Sequence, residues 1–179
     1  MFEMIEKIIS RKSVRKFTNK KIEKKTILKI LECARWAPSG LNSQPWEFIV
    51  IESENIEKIA EFTKYGKIIR SAPVSIAVYY NKDRGYNYVK DIQAIGAAMQ
   101  NILIGIHMLG LGGVWLGEIL NQQDKVDELL KAPSNIEFMG IIAFGKIPKN
   151  AKFPERSRIP LSKIVYGEEY GRKYLENDI

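Results

Sequence analysis

The sequence predicts an α+β fold, in which helices pack on a sheet without regular alternation of strand and helix. Three observations support this. Helical and strand-like segments follow one another in mixed order, one long segment is uncharged and apolar on nearly all faces, and a glycine-rich segment lacks the G-x-G-x-x-G spacing. In that motif the glycines follow a strand and open a helix, whereas GLGGVWLG follows a helix and opens a strand. A doubly wound parallel sheet is therefore disfavoured.

Helical periodicity appears in a short amphipathic N-terminal segment, in a second segment with a broad apolar face, and in three later segments. The longest of these is apolar on nearly all faces, so the rest of the fold or a second copy of the chain must cover it. We therefore expect a homodimer built around this central helix. The predicted helices are 2–10, 26–37, 55–65, 91–109 and 122–131.

The uncharged run from 92 to 117 is long enough to raise the question of a membrane span. It is interrupted by Gln93, Gln100, Asn101 and His107 and by several glycines, and its end has the pattern of a helix terminus, a turn and a short strand. We therefore expect no contact with a membrane.

The predicted strands are 46–51, 72–80, a short strand within 110–117, and 137–145, followed by an irregular basic tail. The 179 residues contain no linker, repeat or low-complexity tract. Since this length suits one substantial core and is short for two, we expect a single domain over residues 1–179.

Composition limits the possible partners and compartment. A formal net charge of +7 predicts attraction to anions, which include nucleic acid, a membrane surface and a phosphorylated small molecule. The only cysteine, Cys33, excludes an intramolecular disulfide and a cysteine-ligated metal site, and we expect it to pack within its helix. The N-terminus lacks the long apolar core of a signal peptide. We therefore expect a cytoplasmic protein.

Two basic clusters lie near opposite ends of the chain. Arg11, Ser13 and Arg15 alternate in RKSVR, so in an extended segment they point to one side. Arg156 and Arg158 repeat this alternation in ERSRIP. Paired guanidinium groups with a hydroxyl suit bidentate capture of a phosphate, although a solvated basic surface is the alternative. If the clusters converge, they account for much of the excess charge.

A third cluster is the loop PSGLNSQPW at 38–46. Asn42 and Gln44 can each donate and accept hydrogen bonds, and Pro38 and Pro45 stiffen the loop at both ends. Such amides suit a flat heterocycle whose edge alternates donors and acceptors, such as the pyrimidine edge of a flavin. The alternative is that both amides cap the backbone of the helix and the loop.

Five motifs together resemble the flavin-dependent nitroreductase family. They span nearly the whole chain in the family's order, and the PSxxNxQPW element is the most distinctive. The resemblance implies a homodimeric α+β fold with a central, mostly antiparallel sheet flanked by helices. The motifs are R-K-S-V-R-x-F at 11–17, A-P-S-G-L-N-S-Q-P-W at 37–46, G-L-G-G-V-W-L-G at 110–117, F-G-K-I-P at 144–148 and R-S-R-I-P at 156–160.

The resemblance also implies an activity. It predicts one FMN per active site at the subunit interface, reduced by NADH or NADPH in a ping-pong cycle. The electrons then pass to a small-molecule acceptor such as a nitroaromatic or a quinone. Because the cofactor carries this chemistry, we assign no catalytic side chain, and we expect His107 to be a core or interface histidine.

The resemblance assigns cofactor contacts to both ends of the chain and to two internal segments. At the ends, Arg11 and the C-terminal arginines would hold the phosphate, and Arg15 would lie nearer the ring. The loop after the second helix would pack on the flavin from the partner subunit, and the segment after the third strand would bring its backbone to the reactive edge. The predicted contacts are Arg11, Lys12, Ser13, Arg15, Pro38, Ser39, Gly40, Asn42, Gln44, Gly117, Glu118, Arg156 and Arg158.

Two departures leave the substrate open. Lys64 occupies a position at which larger members of the family have an amide, and the helical insertion over their substrate pocket is reduced here to the loop NKDRGYNYVK. One alternative is therefore an FMN protein that acts as a flavin carrier or sensor, or as a flavin-modifying or dehalogenating enzyme. A basic nucleic-acid-binding module is disfavoured, because basic and aromatic residues are not interleaved on the strands.

Overall fold

The computed structural model describes residues 2–175, and it confirms the predicted α+β fold. The chain forms six α-helices and four β-strands within that range. In chain order they are α1 (Phe2–Ser10), α2 (Lys24–Arg35), β1 (Trp46–Ile51), α3 (Glu54–Ala60), α4 (Gly66–Ser71), β2 (Val74–Asn81), α5 (Tyr88–Met108), β3 (Gly112–Leu116), α6 (Gln123–Leu130) and β4 (Ile136–Gly145).

The four strands form one antiparallel sheet in the order β1-β2-β4-β3. A bulge interrupts the pairing of β2 with β4, where Val78 pairs with Gly140 and Tyr79 with Phe138. Gly140 adopts a φ of 127°, which other residues rarely adopt, so a glycine is required at the bulge. The predicted central antiparallel sheet is therefore confirmed.

The sheet is buried on both faces, and strand β2 shows how its sequence produces this. Successive side chains of a strand point to opposite faces. Ile76 and Val78 pack with α2 and α5, whereas Ala77 and Tyr79 pack with α3, α4 and α6. Fully burying one large apolar side chain stabilises the fold by about 1.5 to 3 kcal/mol, so a change to a charged residue at any of these positions would break the layer.

Helix α5 is the long central helix that the sequence predicts. Its start lies three residues earlier than predicted because Asn87 caps it, accepting a hydrogen bond from the backbone N–H of Lys90 at 3.2 Å. The helix packs against α2 and the sheet through a continuous set of buried apolar residues. Within residues 2–175, no helix has the length and apolar character needed to cross a bilayer.

Two local predictions are wrong. The helix predicted over 55–65 ends at Ala60, and α4 begins separately at Gly66. There the chain turns so tightly that a Cβ on Gly66 would overlap the carbonyl oxygen of Ala60. Cys33, predicted to pack within its helix, is exposed. The tail after β4 is irregular as predicted, with one 3₁₀ turn over Leu161–Lys163.

Candidate functional site

The segment RKSVR is fixed to the edge of the sheet. The backbone N–H of Val14 donates to the carbonyl oxygen of Gly113 on β3 at 3.0 Å, and the Val14 side chain is buried against Gly112. Because residues alternate in an extended segment, the inward position of Val14 turns Ser13 and Arg15 the other way. The polar residues of the motif are thereby presented together.

The C-terminal basic cluster returns to this segment. The guanidinium of Arg156 donates from Nη2 to the carbonyl oxygen of Ile9 at 2.6 Å and from Nη1 to the carbonyl oxygen of Arg11. Arg158 donates to the carbonyl oxygen of Ser157 at 2.8 Å. Arg156 thus ties the tail to the end of α1, and the two ends of the chain meet.

A cavity of about 170 Å³, which we call the arginine cavity, lies where the two ends meet. It contains every basic residue predicted for the cofactor, together with Phe153 and Pro154, which were not predicted from the sequence. The ring of Phe153 lies under Lys12, whose Nζ is 4.7 Å from the ring centroid. The available signal was the Phe-Pro pair at 153–154, directly before ERSR. The lining residues are Arg11, Lys12, Ser13, Arg15, Phe153, Pro154, Arg156 and Arg158.

The cavity is strongly positive. No carboxylate lines it, and none of its five cations forms an ion pair with a carboxylate of residues 5–175. Nη1 of Arg11 is buried without a hydrogen-bond partner. Burial, followed by the charges of Arg156 and Arg158, lowers the pKa of Arg11. A bound anion would supply both the missing acceptor and the missing negative charge.

His107 on α5 lies close to this positive region. Its Nε2 is hydrogen-bonded to Ser10 Oγ at 3.1 Å, so the histidine has a partner, as expected. Its pKa is lowered by partial burial and then by the positive charges of Lys7 and Arg11, with smaller effects from other cations of the cluster. The imidazole is therefore held neutral at physiological pH.

One of the two side-chain amides in the loop at 38–46 is hydrogen-bonded to the backbone of the loop itself. The Gln44 side chain donates to the carbonyl oxygen of Asn42 at 3.2 Å, and the Gln44 backbone N–H donates to Ser39 Oγ at 3.0 Å. Leu41, Asn42 and Gln44 all have positive φ values between 49° and 54°. These bonds support a strained loop, and contact of the amides with a ring stays a prediction.

Pro38, Ser39 and Gly40 line a second cavity, of about 330 Å³, against α5. It shares no lining residue with the arginine cavity. Within one chain the loop and the arginines therefore line different cavities, and contact of the loop with the flavin of a partner subunit stays a prediction.

Gly117 and Glu118 follow β3. The Glu118 carboxylate accepts hydrogen bonds from the Thr63 hydroxyl at 2.6 Å and the Lys64 backbone at 3.3 Å, and it lies 3.6 Å from Lys64 Nζ. The bond from Thr63, and then Lys64, lowers the pKa of this carboxyl. Glu118 thus holds the segment between α3 and α4 beside Gly117.

Comparison with known proteins agrees with these motifs. The model of the Nitroreductase family matches residues 8–65 and 60–146. A protein of Archaeoglobus fulgidus, named as an NADH dehydrogenase/NAD(P)H nitroreductase, is 35% identical over 156 residues, which cover 85% of this chain and 89% of the relative. The NADPH-flavin oxidoreductase of Vibrio harveyi is 27% identical over 190 residues, covering 99% and 78% of the two chains.

A solved structure extends the likeness to the fold. A protein of Desulfovibrio desulfuricans, described as a nitroreductase in complex with FMN, superposes with a TM-score of 0.86 at 39% identity, covering 93% of this chain and 97% of the other. The likeness in sequence and fold spans most of the chain. The chain therefore belongs to the nitroreductase family.

Proposed function

We propose that the protein is an FMN-dependent oxidoreductase that passes electrons from NADH or NADPH to a nitroaromatic, a quinone or a related acceptor. The observation that carries this proposal is the arginine cavity formed by both ends of the chain. The FMN held by the Desulfovibrio protein and the name of the Archaeoglobus relative support it.

The residues of the cavity fit the phosphate of FMN. Arg11 offers an unpaired, buried Nη1, and Arg158 and Lys12, which line the same cavity, add further donors. Arg156 fixes the position of the tail through its two carbonyl bonds. When bound, FMN supplies the redox chemistry, accepting a hydride from the nicotinamide and passing electrons to the acceptor.

The other predicted contacts would orient the flavin. Ser13 and Arg15 line the same cavity as Arg11 and would contact the flavin beside the phosphate. Gly117 offers little bulk where backbone N–H groups would approach the ring, and Glu118 keeps the neighbouring Lys64 segment in place. None of these roles requires a protein acid, base or nucleophile.

We also propose a homodimer with FMN at the subunit interface. Large apolar side chains stand exposed at the ends of α1 and α5 and along the tail, among them Ile8, Ile9, Met108, Leu109 and Tyr170. Clustered exposed apolar residues mark interaction surfaces. A second subunit would cover them and would bring its own 38–40 loop to the flavin. The proposed location is the cytoplasm, where the exposed thiol of Cys33 stays reduced.

The spectrum of the purified protein followed by anaerobic addition of NADH or NADPH tests this function. We expect the absorption bands of oxidised flavin and their rapid bleaching by at least one of the two donors. A flavin that stays oxidised with both donors would favour a carrier, a sensor or a flavin-modifying enzyme. Colourless protein that takes up no added FMN would contradict the proposal.

A further inference from the structure

The cavity beside Gly40 is lined in part by residues that are not among the proposed cofactor contacts. It is lined by the loop Pro38, Ser39 and Gly40, by Tyr86, and by Lys90 and other residues of α5. We call this cavity the Gly40 recess. Because the proposed function sets this loop beside the flavin, a molecule in the recess would lie next to the cofactor.

Tyr86 is held in place by a buried carboxylate. Asp91 is fully buried, and its Oδ2 accepts hydrogen bonds from the backbone N–H groups of Tyr86 and Asn87, both at 2.9 Å. The hydroxyl of Tyr80 donates to the same oxygen at 3.2 Å. Three donors to one buried oxygen fix the start of α5, and with it the backbone from which the Tyr86 ring extends.

The Tyr86 ring lies directly on Gly40. A Cβ at Gly40 would overlap the Tyr86 hydroxyl, although the backbone of Gly40 lies outside the positive-φ region and would accept other residues. The missing side chain therefore makes room for the tyrosine. This contact sets the hydroxyl edge of the Tyr86 ring against Gly40, and the ring lines the recess.

Lys90 adds a positive charge to the lining of the recess. Its Nζ lies 5.4 Å from the centroid of the Tyr86 ring, a cation–π arrangement. No carboxylate lines the recess, and Lys90 has no partner within ion-pair distance among the carboxylates of residues 5–175. The ammonium group is therefore available to an anion that enters beside the ring.

We propose that the Gly40 recess recognises acceptors that carry an aromatic ring and an anionic group, with the ring against Tyr86 and the anion at Lys90. This inference rests on the proposed function, since electron transfer requires the flavin beside the loop. It narrows the acceptor class to aromatic anions such as carboxylates.

Binding of a redox-inert probe to the FMN-loaded protein tests this preference. Benzoate and neutral benzyl alcohol are titrated calorimetrically into the wild type, Lys90→Gln, Lys90→Arg and the control Lys29→Gln, which changes an exposed lysine on α2. A partly exposed ion pair contributes up to about 1 kcal/mol, so Lys90→Gln should weaken benzoate binding by about fivefold. Benzyl alcohol binding should stay unchanged, and Lys90→Arg and Lys29→Gln should bind benzoate like the wild type.

Turnover provides an independent readout. The KM for 4-nitrobenzoate should rise in Lys90→Gln while its kcat and the KM for 4-nitrobenzyl alcohol stay constant. Equal benzoate affinity in the wild type and Lys90→Gln would overturn the inference, as would a raised KM for NADPH in place of one for the nitrobenzoate. If neither nicotinamide reduces the flavin but the preference for benzoate persists, the proposed function fails and the anion site stands.

Discussion

Arg11 lies in an environment that destabilises its positive charge as long as no anion is bound. Its guanidinium is partly buried beside two other arginines, and one of its nitrogens has no hydrogen-bond partner. Like charges at close range disfavour the ionised form, which burial disfavours as well. The repulsion is relieved when an anion occupies the cavity, so the same residue that strains the empty site strengthens the loaded one.

Replacing Arg11 with methionine should therefore have opposite effects in the two states. Charge-assisted hydrogen bonds contribute about 1.5 to 3 kcal/mol, so we expect FMN to bind roughly 10-fold to 100-fold more weakly. The unfolding temperature of the FMN-free protein should not fall, because repulsion from Arg156 and Arg158 is removed. Thermal unfolding with and without FMN measures both effects.

Arg35→Met is the matched control, because Arg35 pairs with Glu32 on the surface of α2, outside the cavity. It should leave FMN affinity unchanged. Equal destabilisation of the FMN-free and FMN-loaded forms by Arg11→Met would show that Arg11 serves the fold and not the anion.

His107 is sensitive to the positive charges around the arginine cavity, and it is the only histidine in the chain. Its pKa lies below the usual 6.5 because of burial and of Lys7, Arg11 and other cations. FMN in the cavity would offset these charges, so we expect the pKa of His107 to rise on binding. The single imidazole C2 proton resonance, followed against pH by NMR with and without FMN, measures this shift. An unchanged pKa would place the phosphate elsewhere.

The lowered pKa of His107 also makes the free energy of unfolding depend on pH. Because the pKa of His107 is lower in the folded than in the unfolded chain, the unfolded chain takes up the proton first as pH falls. The FMN-free protein should lose stability as pH falls below about 6.5, and His107→Gln should remove this contribution. Denaturant titrations between pH 7.5 and about 5 measure the difference, and parallel pH profiles of the two proteins would contradict it.

Most elements of the fold could be predicted from the sequence, because the continuous apolar run of β2 and the apolar surface of α5 are local properties of the chain. The end of α3 at Ala60 could not be predicted in this way, since it follows from a close approach of Gly66 to the preceding helix. The basic residues of the arginine cavity were predicted because alternation and charge are visible in the chain. Tyr86 and Lys90 belong to the loop NKDRGYNYVK, but they could not be singled out within it, because only the packing of α5 on the 38–40 loop brings them to a cavity.

The junction between the RKSVR segment and β3 depends on a missing side chain. A Cβ at Gly112 would lie 2.7 Å from the buried side chain of Val14. Gly112→Ala should therefore push the segment away from β3 and destabilise the protein by about 1 to 3 kcal/mol, as overpacking does. Because this segment carries Arg11 and Arg15, FMN affinity should also fall. Denaturant unfolding and FMN titration measure the two effects.

Gly96→Ala is the control for this substitution, because nothing lies within 4 Å of a Cβ at that position on α5. Alanine in a helix interior is favoured over glycine by about 0.5 to 1 kcal/mol, so this variant should be at least as stable as the wild type. If Gly112→Ala behaves like Gly96→Ala, then the packing of Val14 does not position the segment.

Many large apolar side chains are exposed on the surface of the single chain. The tail after β4 packs few residues into the core, and Tyr170 is 92% exposed. A second copy of the chain would cover such a surface. We therefore expect sedimentation equilibrium at micromolar concentration to give twice the chain mass of 20.5 kDa.

A charge in the tail tests whether that surface forms the interface. Tyr170→Glu should weaken the dimer without unfolding the subunit, because the side chain is almost fully solvated within one chain. Lys29→Glu, on the exposed side of α2, provides the comparison. A wild-type protein that sediments at 20.5 kDa would exclude the proposed interface site for FMN.

Calorimetric titration of flavin-free protein with FMN and with riboflavin isolates the role of the arginine cavity, because the two ligands differ only by the phosphate. Two charge-assisted hydrogen bonds predict FMN binding at least about 100-fold tighter than riboflavin, with a preference that shrinks as salt is added. Equal affinity for the two ligands would mean that the arginines from the two chain ends do not hold a flavin phosphate.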